Sequence, residues 1–425
     1  MELLRSQLLR EEVFHTRLEN GLEVYLLRKP GFRRAYATVA TKYGSVDSRF
    51  IPAGGTEPVE VPAGIAHFLE HKLFEEEGGS VFDRFAELGA SANAFTSYTL
   101  TAYLFSCTGA FHENLRVLLE FVGRPYFTDE LVEKEKGIIE QELKMYDDHP
   151  DRVLLRNLLE ALYHENPVRV DIGGTVESVR QITKEQLYLC YNTFYHPSNM
   201  VLFAAGDLDP EATLQVIRKA APEGKDRGEI RRFYPPEPAT VRERRVEQAM
   251  AVSRPRYSLG LKDPVTGLTG EALMRREIAH NMLLHMLFGR SSTAFQSLYE
   301  AGLIDEGFSA YYTASPLYGH AVISGETDDP DRLHQEIVAI VERFREEGFD
   351  EADYQRAKRQ AMGEFLDAFN SLEFIAHSFI SYHFRDGNFF RYPEIVQEMP
   401  AEELRSYIDE FLDLERSAVS IVRPR

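Results

Sequence analysis

The chain has 425 residues, of which 44% are hydrophobic and 27% charged, as in ordinary folded proteins. Its length suggests two or three domains. The net charge of -20 at pH 7 excludes a broad basic surface for nucleic acid. With only two cysteines, Cys107 and Cys190, neither a disulfide framework nor a Cys-ligated zinc site is expected, and both are predicted to be small buried hydrophobes.

No stretch approaches 18 consecutive apolar residues, and the N-terminal segment has mixed charges and lacks the apolar core of a signal peptide. We therefore expect no membrane span and a cytoplasmic location.

Strand and helix patterns alternate along the first half of the chain. Strands with turns are predicted over residues 22–50, helices over 63–74 and 80–88, two strands over 91–107, helices over about 111–124, 129–148, 150–163 and 183–194, a strand over 199–207, and a helix near 210–220. The segment 221–240, rich in Pro, Gly and charge, is predicted to be a linker between a domain at 1–220 and one at 241–425.

After the linker the order of elements begins again, which indicates an internal duplication. A shift of 213 residues places His67 on His280, Phe82 on Phe295 and Gly89 on Gly302. The second copy has Leu283 and Leu284 where the first has Glu70 and His71. We therefore predict two similar α+β domains, each a mostly antiparallel sheet covered by helices on one face, of which only the first can hold a metal.

The helical segment at 63–74 contains His67-x-x-Glu70-His71. At about 100° per residue the two imidazoles lie about 40° apart, so both face one point. Two imidazoles and one carboxylate suit a zinc ion with an open fourth position, and Glu70 would take a proton from a water held there. The motif alone could arise by chance, so a third ligand is required.

An acid on the helix 129–148 is the expected third ligand. A helical projection places Glu142 and Glu135 in the middle of a face formed by Ile138, Ile139, Met145 and Tyr146, whereas Glu133 and Glu140 fall on the solvent side with Lys136. Carboxylates in a buried stripe are costly unless they are paired or bind a cation. Glu135 and Glu142 are therefore predicted to face the metal, while Lys72 and Glu75 to Glu77 are predicted to form a solvated helix end.

These motifs, with the GASANAFTSYT, IGGTVESVRQIT and FYHPSNMVLFAAGDL segments, resemble the pitrilysin family of zinc peptidases, known as inverzincins. The resemblance covers nearly the whole chain and is to the short two-domain bacterial type, similar to processing-peptidase beta subunits. It implies a zinc-dependent endopeptidase that binds one Zn²⁺ per chain through His67, His71 and Glu142. Glu70 would be the general base, and Glu135 an accessory catalytic residue behind the metal ligands.

The resemblance also implies that an edge strand, here Asn93, Ala94 and Phe95, binds the substrate as an added strand. Many family members carry an arginine and a tyrosine in the later half that contact the substrate. The comparable positions here are Tyr299 and Asp305 or Glu306, so no such pair is visible.

Short family members work as dimers. The missing pair therefore suggests that this chain is the zinc-bearing subunit of a clamshell dimer, with an inactive paralogue that supplies Arg and Tyr or with a second copy of itself. The alternatives are a non-catalytic subunit of an assembly or processing complex and a zinc hydrolase that acts on a non-peptide amide.

Overall fold

In a computed structural model of the protein, residues 1–6, 8–222 and 228–425 are described. Residues 223–227, which belong to the predicted linker 221–240, lie outside the described residues. The strands are β1 Glu2–Ser6, β2 Glu11–Arg17, β3 Glu23–Arg28, β4 Ala35–Thr41, β5 Arg49–Ile51, β6 Val59–Glu60, β7 Glu75–Glu76, β8 Gly79–Ser80, β9 Ala90–Thr96, β10 Thr101–Cys107, β11 Met200–Gly206, β12 Arg231–Arg232, β13 Arg245–Met250, β14 Arg256–Lys262, β15 Ser309–Ser315, β16 Tyr318–Glu326 and β17 Ser417–Pro424.

The helices lie between these strands in both halves of the chain, and five follow one another between β10 and β11 and again between β16 and β17. They are α1 Ile65–Leu73, α2 Val81–Glu87, α3 Phe111–Val122, α4 Asp129–Asp147, α5 Pro150–Leu162, α6 Val176–Arg180, α7 Lys184–Phe194, α8 Pro210–Ala220, α9 Gly270–Phe288, α10 Thr293–Glu300, α11 Pro330–Glu347, α12 Glu351–Ala368, α13 Leu372–His383, α14 Tyr392–Glu398 and α15 Ala401–Phe411. In the described part of the chain, no helix combines the length and hydrophobicity needed to cross a bilayer.

The helices and strands predicted between residues 63 and 220 are confirmed, each within a few residues of its predicted ends. The hairpin of β1 and β2 was not predicted. Its first strand is exposed or half-buried throughout, so no apolar alternation marks it in the sequence.

The chain forms two compact units that are not continuous in sequence. The first comprises Met1–Leu143, Asp171–Tyr234 and Ala368–Phe384, and the second comprises Lys144–Val170, Pro235–Asp367 and Arg385–Arg425. Helix α13 therefore belongs to the first unit and helix α5 to the second. Each unit includes one helix from the opposite half of the sequence.

The main sheet of the first unit has the strand order β1-β2-β3-β11-β4-β10-β9, in which only β3 and β11 are parallel. The sheet of the second unit has the order β13-β17-β14-β16-β15, with β13 and β17 parallel. The order from β3 to β9 thus recurs from β13 to β15. This shared topology supports the predicted duplication, and the prediction of two mixed domains with largely antiparallel sheets is confirmed.

The expectation that helices cover only one face of each sheet is wrong. In the first unit α13 packs against the face that carries Tyr25, Tyr36 and Phe203: the Phe379 ring lies 4.6 Å from Tyr25 and 4.7 Å from Phe203. Helix α3 contacts the other face, where Phe121 lies 5.7 Å from Tyr103. The inner strands β4 and β11 are buried almost throughout, so both faces need apolar cover.

In the second unit, His280 of α9 is completely buried. Its ring stacks on Phe411 at 3.9 Å and meets the edge of Tyr312 at 4.5 Å. Both ring nitrogens lack a hydrogen-bond partner among the described residues. Burial, followed by the charge of Arg276, lowers the pKa of His280 to about 3, so the folded protein keeps this ring neutral.

This burial predicts a specific pH dependence of stability. An unfolded histidine gains a proton below about pH 6.5, whereas His280 in the folded chain gains one only near its lowered pKa, so stability falls as the pH decreases between these values. At pH 5 the loss is about 2 kcal/mol. The substitution His280→Phe should therefore shrink the difference in unfolding free energy between pH 7.5 and pH 5 by about this amount, as measured by chemical denaturation.

The exposed His149 provides the control, because His149→Gln should leave the pH dependence as it is. An unchanged pH dependence in His280→Phe would contradict the assignment of a neutral buried ring.

Candidate metal centre

Glycine contacts fix the start of the helix that carries the motif. Gly64 precedes α1 with φ 86°, and a Cβ there would lie 2.2 Å from the Gly173 carbonyl oxygen. Gly174 has φ 77°, and a Cβ there would lie 2.5 Å from the Ala63 carbonyl oxygen, which also accepts a hydrogen bond from Ser178 Oγ at 2.8 Å. Only glycine allows backbone to pack this closely in the left-handed region. The loop of residues 172–175, called the IGGT loop below, therefore sets the position of α1.

His67 and His71 lie one helical turn apart on α1 and face Glu142 of α4. Their ring centroids are 4.6 Å apart. Glu142 Oε1 lies 3.8 Å from His67 Nε2, and Glu142 Oε2 lies 3.6 Å from His71 Nε2. One ligand atom from each of the three residues can be chosen so that all lie within 4.8 Å of one another. No other such group of metal-binding side chains occurs among residues 1–6, 8–222 and 228–425.

This donor set fits zinc. Zinc bonds to imidazole nitrogen and carboxylate oxygen are about 2.0–2.2 Å long, so ligand atoms around one tetrahedral ion lie more than 3 Å apart. The two imidazole-to-carboxylate distances, 3.8 and 3.6 Å, have that magnitude and are too long for hydrogen bonds. His67, His71 and Glu142 could thus hold one ion.

Glu135 and Lys72 form a buried pair next to His71. Glu135 Oε1 accepts a hydrogen bond from His71 Nδ1 at 3.0 Å, and its other oxygen lies 3.4 Å from Lys72 Nζ. Although burial by itself raises the pKa of Glu135, the His71 hydrogen bond and the Lys72 charge hold it below its usual value. Because His71 donates from Nδ1, its Nε2 is free to act as a ligand atom.

The prediction that Lys72 lies at a solvated helix end is wrong. Lys72 is completely buried and pairs with Glu75 as well as Glu135. The acidic run that follows it favoured a solvated interpretation. Its burial depends on α4, some sixty residues later in the chain, so local sequence carried no signal for it.

The predicted apolar face of α4 also needs correction. Ile138 and Met145 are 46% and 60% exposed, and the buried line runs instead through Val132, Glu135, Ile139 and Leu143. Apolar residues occur one turn before Glu142 and one turn after it in this 19-residue helix. Periodicity alone therefore centred the predicted apolar face on Glu142, whereas the buried face lies to one side of it. The exposed Glu133 pairs with Lys136, and the half-buried Glu140 pairs with Arg180.

Glu70 is 8% exposed and accepts a hydrogen bond from Thr96 Oγ1 at 2.6 Å. Burial raises the pKa of Glu70, while the Thr96 hydrogen bond and the charge of His71 oppose the shift. A carboxylate that is held in one orientation beside the candidate metal ligands is placed to accept and return a proton. Sequence reasoning did not single out Thr96, because a strand threonine has no distinguishing local pattern.

Strand β9 lies at the edge of the first sheet, paired only with β10 within the described ranges. Direct pairing places Asn93 opposite Leu104 and Phe95 opposite Ala102. Phe95 packs against His377 of α13 at 4.7 Å. Because side chains alternate along a strand, Asn93 and Phe95 share this face, whereas Ala94 and Thr96 lie on the side of α1.

In the second unit the positions that match Glu70 and His71 are Leu283 and Leu284, both completely buried. Tyr299, at the position where an arginine was expected, lies in the last turn of α10 and is 48% exposed. Asp305 and Glu306 lie in the loop before β15.

Comparison with known proteins identifies the class. A family model described as insulinase (peptidase family M16) matches residues 50–176, and one described as peptidase M16 inactive domain matches residues 181–361. The chain belongs to the M16 family of zinc proteases, in a short two-domain form, so the predicted membership of the pitrilysin-type family is confirmed.

Individual relatives agree with this class. The chain is 46% identical over 421 residues, 98% of each protein, to the uncharacterized zinc protease YmfH of Bacillus subtilis. The crystal structure of a putative M16-like peptidase from Alicyclobacillus acidocaldarius has a TM-score of 0.95 and 43% identity, covering 99% of this chain and 100% of that one. A protease from Helicobacter pylori shares the fold, with a TM-score of 0.81 at 19% identity over 97% of this chain and 100% of that one.

The glycine contacts generate a test. Gly174 and Gly54 have nearly the same φ, 77° and 76°, but a Cβ at Gly54 would meet nothing within 4 Å. Gly174→Ala should therefore lower the unfolding free energy by about 2 kcal/mol more than Gly54→Ala, because it adds a backbone clash to the same strain. By displacing the start of α1 it should also weaken zinc binding about tenfold or more, measured by competition with a chelator.

Equal effects of Gly174→Ala and Gly54→Ala on stability and zinc affinity would contradict a positioning role for the IGGT loop.

Proposed function

We propose that this protein is a zinc-dependent endopeptidase that hydrolyses peptides or unfolded segments. The observation that carries the proposal is the convergence of His67, His71 and Glu142, with the buried carboxylate of Glu70 held beside them by Thr96. Metal ligands and a candidate base thus lie next to a sheet edge that can pair with an extended peptide.

His67, His71 and Glu142 would hold one zinc ion, which when bound supplies Lewis acidity to polarise a peptide carbonyl and acidify a water. Glu70 accepts the proton of the attacking water and returns it to the departing amine. Its burial and its short hydrogen bond to Thr96 keep the carboxylate in one orientation for both transfers.

Glu135 acts through His71. By accepting a hydrogen bond from Nδ1–H, Glu135 fixes the tautomer and the orientation of the imidazole, and Lys72 balances the charge of Glu135 in the buried cluster. Glu135 is accordingly proposed as a positioning residue rather than as a proton-transfer residue.

Strand β9 is the proposed substrate strand. The side of β9 away from β10 offers backbone N–H and C=O groups to an extended peptide, and Asn93, Ala94 and Phe95 lie on the same strand as Thr96. The contact between Phe95 and His377 braces this strand from the opposite face.

We further propose that two chains close as a clamshell around an inner chamber. The chain has no arginine and tyrosine at the positions expected for substrate contacts, so the proposed partner is an inactive paralogue that supplies them. The other possibility is a homodimer, in which both chains lack this pair. A cytoplasmic location remains part of this proposal.

The alternative is a non-catalytic subunit of an assembly or processing complex. The family model described as an inactive domain matches the later part of the chain, which is compatible with it. Against it stands the complete set His67, Glu70, His71 and Glu142 in one cluster, because a purely structural subunit needs none of these. A zinc hydrolase for a non-peptide amide would not need the open edge of β9.

The first test combines zinc analysis with cleavage of quenched fluorescent peptides, using the chain alone and with any co-encoded paralogue. Glu70→Gln should retain about one zinc per chain and lose about 10²–10⁴-fold in kcat, because only proton transfer is removed. Glu142→Gln should lose zinc. Glu140→Gln, a change on the same helix at a residue paired with Arg180, should keep both zinc and activity.

Activity of the chain alone would contradict the need for a different partner. No zinc and no cleavage in either setting would favour the assembly subunit.

The hydrogen bond from Thr96 to Glu70 generates a second test. Thr96→Val removes the hydroxyl but keeps the shape, so kcat should fall about tenfold while KM and zinc content change little. Thr96→Ser should restore most of the rate because it restores the donor. If the serine and valine variants were equally impaired, Thr96 would act through packing and not through this hydrogen bond.

A further inference from the structure

The second unit contains an open cavity of about 790 Å³ beside the first residues of strand β15. Its walls come from the start of α5, from β14 and β16, and from the loop between α10 and β15. None of its lining residues belongs to the proposed metal centre, so the cavity needs a separate explanation.

The floor of the cavity is unusually polar. Four serines pair directly across adjacent strands and form one row on the same face of the sheet: Ser420, Ser258, Ser324 and Ser309. Three of them, Ser258, Ser324 and Ser309, line the cavity. Ser258 is 1% exposed, and its hydroxyl has no hydrogen-bond partner in the described part of the chain. In that described part the Ser420 hydroxyl is unpartnered as well, but of the two only Ser258 lines the cavity. A buried hydroxyl without a partner is costly, so Ser258 can gain a hydrogen bond from a polar group that enters the cavity.

The walls carry an excess of negative charge. The acidic residues that line the cavity are Asp151, Asp305, Glu306 and Glu326, against one lining arginine, Arg256. Arg256 pairs with Asp151 at 2.5 Å and with Glu326 at 2.9 Å, and Asp305 pairs with Arg254 at 3.1 Å. Glu306 is exposed, and no ion pair to its carboxylate occurs among the described residues. Its charge is therefore available to a cation.

Two aromatic side chains and several aliphatic ones complete the lining. Tyr299 and Tyr311 are 48% and 41% exposed, and both line the cavity. An exposed tyrosine face attracts a cation, and an aliphatic wall, here Leu154, Leu155 and Val322, suits the methylene stem of a long side chain. A carboxylate, aromatic faces, hydroxyl acceptors and an aliphatic wall together match a lysine or arginine side chain.

We infer that this cavity binds the cationic side chain of a peptide, with Glu306 as its charge partner and Ser258 as a hydrogen-bond acceptor on the floor. This inference rests on the proposed peptidase function and deepens it by naming a substrate class, peptides that carry a basic residue. The chain's net charge of -20 also favours the approach of cationic peptides.

Binding can be separated from cleavage by working in the full-length Glu70→Gln background. The probe is a labelled, N-acetylated peptide with one arginine, compared by fluorescence anisotropy with the same peptide carrying neutral citrulline. The arginine peptide should bind about five- to tenfold more tightly, and this preference should shrink at high salt. Adding Glu306→Gln should reduce it to about twofold or less. Glu300→Gln, an exposed acid on α10 that does not line the cavity, should preserve it.

A second variant tests the floor of the cavity. Ser258→Ala removes a buried hydroxyl that has no partner, so the melting temperature should stay the same or rise, while the preference for arginine should fall. A loss of preference together with a gross loss of stability would instead point to a structural role for Ser258 and overturn its assignment as an acceptor.

The two proposals fail differently. Equal affinity for the arginine and citrulline peptides, or equal weakening of both by Glu306→Gln, would overturn the cavity assignment. Tighter binding only of peptides with a free N-terminal amine would also overturn it in favour of terminus recognition. If the unmodified chain cleaves no peptide but the arginine preference persists, the peptidase proposal fails while the cavity assignment stands.

Discussion

Three carboxylates lie close together in the first unit, Glu70 and Glu135 buried and Glu142 half-buried, and the repulsion between their charges is the constraint on which the site depends. Each requires compensation because burying an unpaired charge costs several kcal/mol. Lys72 and His71 compensate Glu135, Thr96 donates to Glu70, and Glu142 faces two imidazoles. A divalent cation among His67, His71 and Glu142 would balance the remaining negative charge. Binding of such a cation would therefore be coupled to the local stability of this site.

That constraint explains why so much close packing surrounds one short helix. Helix α1 has only nine residues, and its two proposed ligands are correctly placed only if its start is fixed against the loop at Gly173 and Gly174 and its far side against β9. A displacement of about 1 Å in any of these contacts would change the distances from the imidazoles to Glu142 and from Glu70 to the proposed substrate strand. The two loop glycines, Thr96 and Lys72 thus all hold the side chains of α1 in position relative to α4 and β9.

The second unit has the same sheet topology but lacks the group of three neighbouring carboxylates. Leucines replace Glu70 and His71, and the histidine that remains, His280, is enclosed by aromatic rings as a neutral core residue. Polar groups reappear elsewhere, in the serine row and the acidic rim of the cavity beside β15. The two sheets thus share one topology, but one lies beside a cluster of candidate metal ligands and the other beside a polar cavity.

The sequence by itself determined the parts of the site that depend on local periodicity. The spacing of His67 and His71 on a helix, the recurrence of the strand and helix order, and the choice of Glu135 and Glu142 over Glu133 and Glu140 all followed from it. The histidine spacing and the choice of acids have a short-range physical basis, because helical twist operates over a few residues. The recurrence was instead found by comparing the two halves of the chain.

Only the tertiary structure decided the rest. In the folded chain Lys72 is buried against Glu135, 63 residues away, and Thr96 donates a hydrogen bond to Glu70. Ile138 and Met145 are exposed. Helices α5 and α13 each belong to the unit formed mainly by the other half of the sequence. The tertiary structure also aligned Ser258, Ser324 and Ser309, which come from three different strands. Each of these contacts joins segments that are distant in the chain, and their free energy depends on which surfaces the packed elements present to one another. Local sequence patterns therefore do not predict these contacts.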